Sequence, residues 1–399
     1  MKQASDSGDM SQPAIATHTT LGNQLPTLRH LLLYFLKLGS FGFGGPIALA
    51  GYMQRDLVDQ RHWFSEQEFL DGLALAQLSP GPLAAQLAMY LGLVRGGYMG
   101  ALLVGVVFIL PSFLMVLALS IAYVRFDGLP WMQSAFYGIG AAVIAIIARS
   151  AFKLVKSAVR KDVILWIIFI ALLLSTAITE RENVWLFIGA GILTLVFKAD
   201  WRKLTSSAHG FFFFWPVMFS SDSRVIQIFS FFAKASLFVF GSGLAIVPFL
   251  HGGVVQEHHW LTERQFLDAV AVAMITPGPV VITVAFIGYL VGGFAGAVAA
   301  GIGVFLPILV IVFLLGPRFH KLSANPQLKA FVSGVTAAAT GAIAGAVIVL
   351  ARRSIIDVWT AAIVVISFVL LMKWKIPEPI LIFAAGLIGL AIRGIAGAH

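Results

Sequence analysis

The stretch SEQEFLDGLALAQLSPGP, residues 65–82, and its near-copy TERQFLDAVAVAMITPGP, residues 262–279, decide how this chain folds. Ser65 with Glu68, and Thr262 with Gln265, have capping-box spacing, so a helix opens at each. Each helix then meets Pro-Gly-Pro. Two prolines delete two backbone donors and disfavour helical geometry in the residues before them, which argues against an unbroken helix. The segment either spans as two half-helices or enters and leaves a membrane on one side as a hairpin.

A membrane setting follows from composition. Apolar residues make up 59% of the 399 residues and charged residues 11%, against about 45–50% and about 25% in soluble domains. Mean hydropathy is +0.93, and bilayer-length apolar stretches recur from Leu31 to Ile392. The net charge of +9 sits mostly in short loops, as the positive-inside rule produces, so nucleic acid is not an expected partner. No cysteine is present, which excludes disulfides and thiol chemistry. Residues 1–26 are polar, lack a signal-peptide pattern and read as disordered.

The near-copies belong to a duplication of the whole chain. At an offset of 197, Lys37 answers Lys234, Phe43-Gly44 answers Phe240-Gly241, and Phe69-Leu70-Asp71 answers Phe266-Leu267-Asp268. The offset drops to 196 by Gly100 and Gly296, and to 195 by Asp162 and Asp357. Each half, 27–198 and 225–399, carries six apolar segments. A linker, 199–224, holds the aromatic run from Phe211 to Pro216, which reads as interfacial. Basic loops change sides between the copies, apart from Arg352 and Arg353. The expected fold is therefore an all-α polytopic membrane protein, an inverted-topology repeat. Each half has about five transmembrane helices plus one broken or re-entrant Pro-Gly-Pro segment.

Irregular backbone at membrane depth must be buried in protein or line a wet cavity. Two breaks per half meet that description. One is Gly44-Gly45-Pro46 with its counterpart Gly241-Ser242-Gly243. The other is Ser79-Pro80-Gly81-Pro82 with Thr276-Pro277-Gly278-Pro279. Ser79 and Thr276 read as N-caps with proline at the first helical position. Two helix starts, one per half, would then aim free N–H groups at a small tetrahedral anion. The alternative is that these residues only permit kinks and close packing. Duplication at one register favours the binding reading.

Lys37 and Lys234 lie within apolar segments and serve either as anion partners or as snorkelling cations. Gln86, one turn past the first break, is a candidate donor to substrate. Asp71 and Asp268 are candidate proton carriers or, more simply on position, complements to a helix dipole. His62 and His259 precede Trp63 and Trp260 and read as interface anchors, without metal-ligand spacing. No nucleotide, zinc-hydrolase or serine-hydrolase motif occurs, so the chain does not read as an enzyme and no cofactor or metal is expected.

Phe43-Gly44-Gly45-Pro46, Trp63 ahead of Phe69-Leu70-Asp71, and the two Pro-Gly-Pro triplets resemble the chromate ion transporter family, in its long form with two homologous halves. The resemblance covers nearly all of residues 28–393. It implies chromate export across a bacterial inner membrane, energised by the membrane potential or proton gradient, and hence chromate resistance; alternating access around the paired breaks is the expected mechanism. It also implies competition by the isosteric sulfate. Sulfate or other oxyanion transport and a passive anion channel are the alternatives, and a homodimer stays open. The second half lacks the proline of the Gly-Gly-Pro element, so the two sites are not expected to be fully equivalent.

Overall fold

A computed structural model describes residues 27–43, 45–126, 130–159, 162–180, 184–198, 223–237, 239, 246–319, 326–374 and 376–396. The N-terminal stretch expected to be disordered and the aromatic run of the linker lie outside the described residues. The described residues form fourteen α-helices and no strand. In the first half these are α1 (Leu28–Phe41), α2 (Gly45–Met53), α3 (Glu66–Leu78), α4 (Leu83–Phe126), α5 (Pro130–Ala158), α6 (Val163–Thr179) and α7 (Val184–Lys198). The second half repeats them as α8 (Arg224–Ser236), α9 (Ile246–His251), α10 (Glu263–Ile275), α11 (Thr283–Leu315), α12 (Pro326–Ser354), α13 (Val358–Lys373) and α14 (Glu378–Ala396).

Both expected capping boxes are formed. The Pro-Gly-Pro segment is a hairpin. Gly72 of α3 lies against Leu87 and Tyr90 of α4, and Arg95 stands 3.8 Å from Glu68. In one straight helix, residues 68 and 95 would be about 40 Å apart. Past the hairpin, α4 turns again at Gly96-Gly97, where Gly97 takes φ 60°, ψ −155°, a region open essentially to glycine alone. Gly293 in α11 repeats the turn with φ 60°, ψ −151°. Each of these helices is thus a short arm, 83–95 or 283–291, and a long crossing arm, 98–126 or 294–315. The arms meet at Gly92 against Gly100 and Gly288 against Gly296, where missing side chains let backbones touch.

The first apolar segment, read from sequence as an interrupted crossing, is folded back as well. The Tyr34 hydroxyl of α1 donates to Asp56 beyond α2 at 3.3 Å, and the Arg61 guanidinium covers the Tyr34 ring. Its tip is Gly42, packed on Leu49.

The long arm of α4 fixes the orientation of the halves. It starts at Tyr98, beside the open end of the α3–α4 hairpin. It passes Gly278, the tip of the α10–α11 hairpin, at Ser112. It reaches Asp268, near that second hairpin's open end, at Tyr123. Tyr98 to Tyr123 is ~38 Å of helix, so the two hairpins open toward opposite faces of the membrane. The long arm of α11 runs antiparallel to it, with the Tyr98 and Phe313 rings 5.0 Å apart. The repeat is inverted.

The halves also exchange partners. α5 packs on α13 and α14, while α12 packs on α6 and α7. Glycines make the contacts close: Gly138 meets the Ala385 carbonyl, and Gly341 meets the Phe169 carbonyl. The helices 83–126, 131–158, 280–315 and 326–354 are each long and apolar enough to cross a bilayer. Their outer faces, with those of α6 and α13, expose Leu110, Leu114, Ile167, Ile170, Val365 and Ile366. This is a multi-pass membrane protein.

Candidate functional site

The two Pro-Gly-Pro tips meet Gly42 and Val239 at the centre. The Gly81 N–H donates to the Val239 carbonyl at 2.6 Å, and the Gly278 N–H donates to the Gly42 carbonyl at 2.8 Å. Val239 and Gly278 are the repeat counterparts of Gly42 and Gly81, so one bond is written twice about a pseudo-two-fold axis. Both glycines have positive φ, +131° and +97°. A Cβ on Gly81 would lie 2.8 Å from Gln86 Nε2 and 3.0 Å from Ile308 Cγ1; one on Gly278 would overlap the Ser112 hydroxyl. The tips leave no room for a side chain.

Ser79 and Thr276 do not cap the returning helices. Each ends the helix before it: the Ser79 hydroxyl donates to the Leu75 carbonyl at 2.6 Å, and that of Thr276 donates to the Val272 and Ala273 carbonyls. The reason is the second proline. Pro82 keeps Gly81 out of helical geometry as Pro80 does Ser79, so the return helix starts at Leu83, with Pro82 accepting from Ala85 and Gln86. Pro279 does the same for Ile282. Ser79, Gly81, Pro82, Thr276, Pro277, Gly278 and Pro279 are buried, and Pro80 is half-buried.

Gln86 is fully buried beneath the first tip. Its Nε2 donates to Ser79 Oγ at 2.9 Å and to the Pro80 carbonyl at 2.6 Å, while Oε1 has no partner. At the second tip Thr283 donates to its own helix, to the Val280 carbonyl at 2.8 Å. Gly45 and Pro46 begin α2 and are half-buried; Gly44, Gly241, Ser242 and Gly243 lie outside the described residues. Lys37 is not brought to the tips. The stripe of α1 that packs inward is Leu31, Tyr34, Phe35 and Leu38, which leaves Lys37 outward with Leu33 and Leu36. Lys234 is half-buried.

The two aspartates sit differently. Asp268 is 2% exposed and accepts from Tyr123, across the boundary between halves, at 2.7 Å. Asp71 is half-buried and accepts from Gln67 at 2.9 Å. His62 and His259 both adopt left-handed geometry, φ 50°, where the chain turns into α3 and α10. Arg95 donates to the Trp63 carbonyl and lies over the Phe64 ring. No cluster of metal-ligating side chains exists among the described residues.

Sequence reasoning missed Ser112, Ile308 and Tyr123, which reach the tips or the aspartate from the opposite half. Ser112 Oγ also donates to the Gly39 carbonyl at 3.2 Å. Pro111 and Pro307, one residue ahead of Ser112 and Ile308 in the duplicated register, were the available signal.

The sequence profile described as "Chromate transporter" matches residues 29–195 and again 226–390. The chain is 57% identical over 372 residues to the "Chromate transport protein" of Cupriavidus metallidurans, covering 91% of this chain and 93% of that one. It is 52% identical over 376 residues to the "Probable chromate transport protein" of Synechococcus elongatus, covering 91% and 95%. The "Uncharacterized transporter YwrA" of Bacillus subtilis is 30% identical over 172 residues, which is 41% of this chain but 94% of that one. No solved structure matches. A profile that falls once on each inverted half, with its two Pro-Gly-Pro tips bonded at the centre, makes this chain a member of the chromate transporter family.

Proposed function

We propose that the chain exports chromate from the cytoplasm across a bacterial inner membrane by alternating access around the paired tips, driven by the proton-motive force. The observation that carries this reading is the reciprocal pair of tip hydrogen bonds. Gly81 and Gly278 are the donors best placed to bind a tetrahedral dianion, and each is held by a carbonyl of the other half. Separating the tips releases both N–H groups toward one small volume, next to the starts of the return helices at Leu83 and Val280. Each tip bond contributes a net ~0.5–1.5 kcal/mol, so the two bonds together bias the closed form by only a few kcal/mol. A ligand bound more tightly by the open form overturns such a bias.

Chromate as substrate is supported by the names of the relatives at 57% and 52% identity. Within the proposed site, Ser79, Pro80, Pro82, Gln86, Thr276, Pro277 and Pro279 shape the cradle, and Gly44 to Pro46 with Gly241 to Gly243 are the further residues proposed to bind the anion. Asp268 and Asp71 are the proposed proton carriers, Asp268 the more isolated from water. Lys37 and Lys234 attract the anion from outside the cradle.

The test is uptake of radiolabelled chromate into everted membrane vesicles containing the protein, with and without an uncoupler and with excess sulfate. Accumulation that collapses with uncoupler is the expected result. Flux that only equilibrates, whatever the gradient, would replace export with a passive anion channel. Uptake of sulfate in place of chromate would move the substrate to another oxyanion.

A further inference from the structure

A cavity of about 210 Å³ opens beside α10, at the open end of the second hairpin. Its walls come from α5, the start of α10, the ends of α12 and α14 and the start of α13, and Asp268 lies in its lining. Three arginines line it, Arg264, Arg353 and Arg393, against two carboxylates, Glu263 and Asp268.

Arg353 is committed: it bonds Glu263 of its own half and Glu180 of the other. Arg264 is half-exposed and pairs loosely with Asp268, 4.0 Å from the same Oδ2 that accepts from the Tyr123 hydroxyl. Arg393 has no ion pair among the described residues, and its guanidinium lies 4.7 Å over the Tyr137 ring.

The repeat explains how Arg393 escapes pairing. Its counterpart, 195 positions earlier, is Lys198, which is bonded to Asp162, the N-cap of α6. The Lys198 ammonium holds the Asp162 carboxyl below its usual range. Asp357, the counterpart of Asp162, is occupied instead by the Tyr137 hydroxyl. One tyrosine thus takes the carboxylate and offers the guanidinium its ring. Gln67 and Ala158 are the counterparts of Arg264 and Arg353, so two of the three arginines are not repeated in the first half.

We propose that this cavity is an access site for a divalent oxyanion, where Arg393 and Arg264 gather the anion before it reaches the tips from that face alone. The inference rests on the oxyanion-transport reading above. An arginine free of a carboxylate offers a fork of donors matched to such an anion, at the rim of the path to the tips. Asp268, two turns from the tip, lies between the two.

The experiment is chromate flux by the full chain in everted and in right-side-out vesicles, resolved into KM and maximal rate. Arg393→Gln and Arg264→Gln are each expected to raise KM on the order of tenfold from one face only, with the maximal rate kept. Tyr137→Phe leaves every charge in place but frees Asp357 to pair with Arg393, and is expected to raise KM in the same direction from the same face. Lys198→Gln, at the counterpart position, is expected to leave KM unchanged. Wild-type flux with KM unmoved in the arginine variants, or moved equally from both faces, overturns the access site while the transport reading stands. Absence of oxyanion flux in the wild type overturns both.

Discussion

The two Pro-Gly-Pro hairpins are built to one plan and furnished differently. Beneath the first tip lies a buried amide, Gln86, with an unpartnered oxygen; beneath the second, Thr283 satisfies itself on its own backbone. Near the first open end the tyrosine close to Asp71 is Tyr90, from the hairpin's own returning arm, packed on Gly72. Near the second, the equivalent of Tyr90 is Phe286, and Asp268 is served by Tyr123 from the other half, whose own counterpart is Phe319. Phenylalanine and tyrosine have traded places. The lesson is that duplication preserved backbone geometry at the tips, where no side chain fits, and let the two open ends diverge in polarity and charge.

The deepest test of the shared part is Gly278→Leu beside Gly81→Leu. Both positions have positive φ and contacts that a Cβ would invade, so both variants are expected to lose chromate flux altogether while still inserting in the membrane. Flux retained in either one, measured against protein quantity in the same vesicles, would remove that tip from the cradle. Next in size is the divergent part. Asp268→Asn is expected to lower flux far more than Asp71→Asn, because Asp268 is buried and bonded to Tyr123 of the other half, whereas Asp71 is half-buried. Equal losses would restore the equivalence that the structure denies.

Tyr123→Phe is expected to weaken the protein by about 1–3 kcal/mol, the penalty for a buried carboxylate that loses one hydrogen bond, seen as a lower melting temperature in detergent. Adding Phe286→Tyr would give the second hairpin the arrangement of the first, and at least part of that stability should return. No recovery in the double variant would show that the exchange is not a compensation. The smallest effect belongs to Lys37→Ala. Lys37 faces outward, so affinity for chromate should fall by less than about threefold, as for a charge at a rim. A larger fall would bring the outer face of α1 into the path.

Much of this architecture was legible in the residues. The capping boxes, the prolines and the register of the repeat gave the helix starts, the breaks and the pairing of halves, because each depends on short-range backbone chemistry. The choice between crossing and hairpin was not legible, since both satisfy the same sequence; contacts such as Arg95 with Glu68 decide it. The caps at Ser79 and Thr276 were misassigned because the second proline of each triplet moves the helix start three residues on. Tyr123, Ser112 and Arg393 reach their partners across the halves, and no local pattern announces a contact of that range.

The exchange of helices between halves has a consequence for how the protein is made. α6 and α7 bury their inner faces on α12, whose glycines Gly334, Gly341 and Gly345 meet them. α12 begins only at Pro326, after α7 ends at Lys198. At ~5–20 residues per second, a ribosome needs on the order of ten seconds to supply it. Through that interval the first half sits in the bilayer with a vacant seat, held by lipid or by the insertion machinery, and the last helices to emerge close both halves at once.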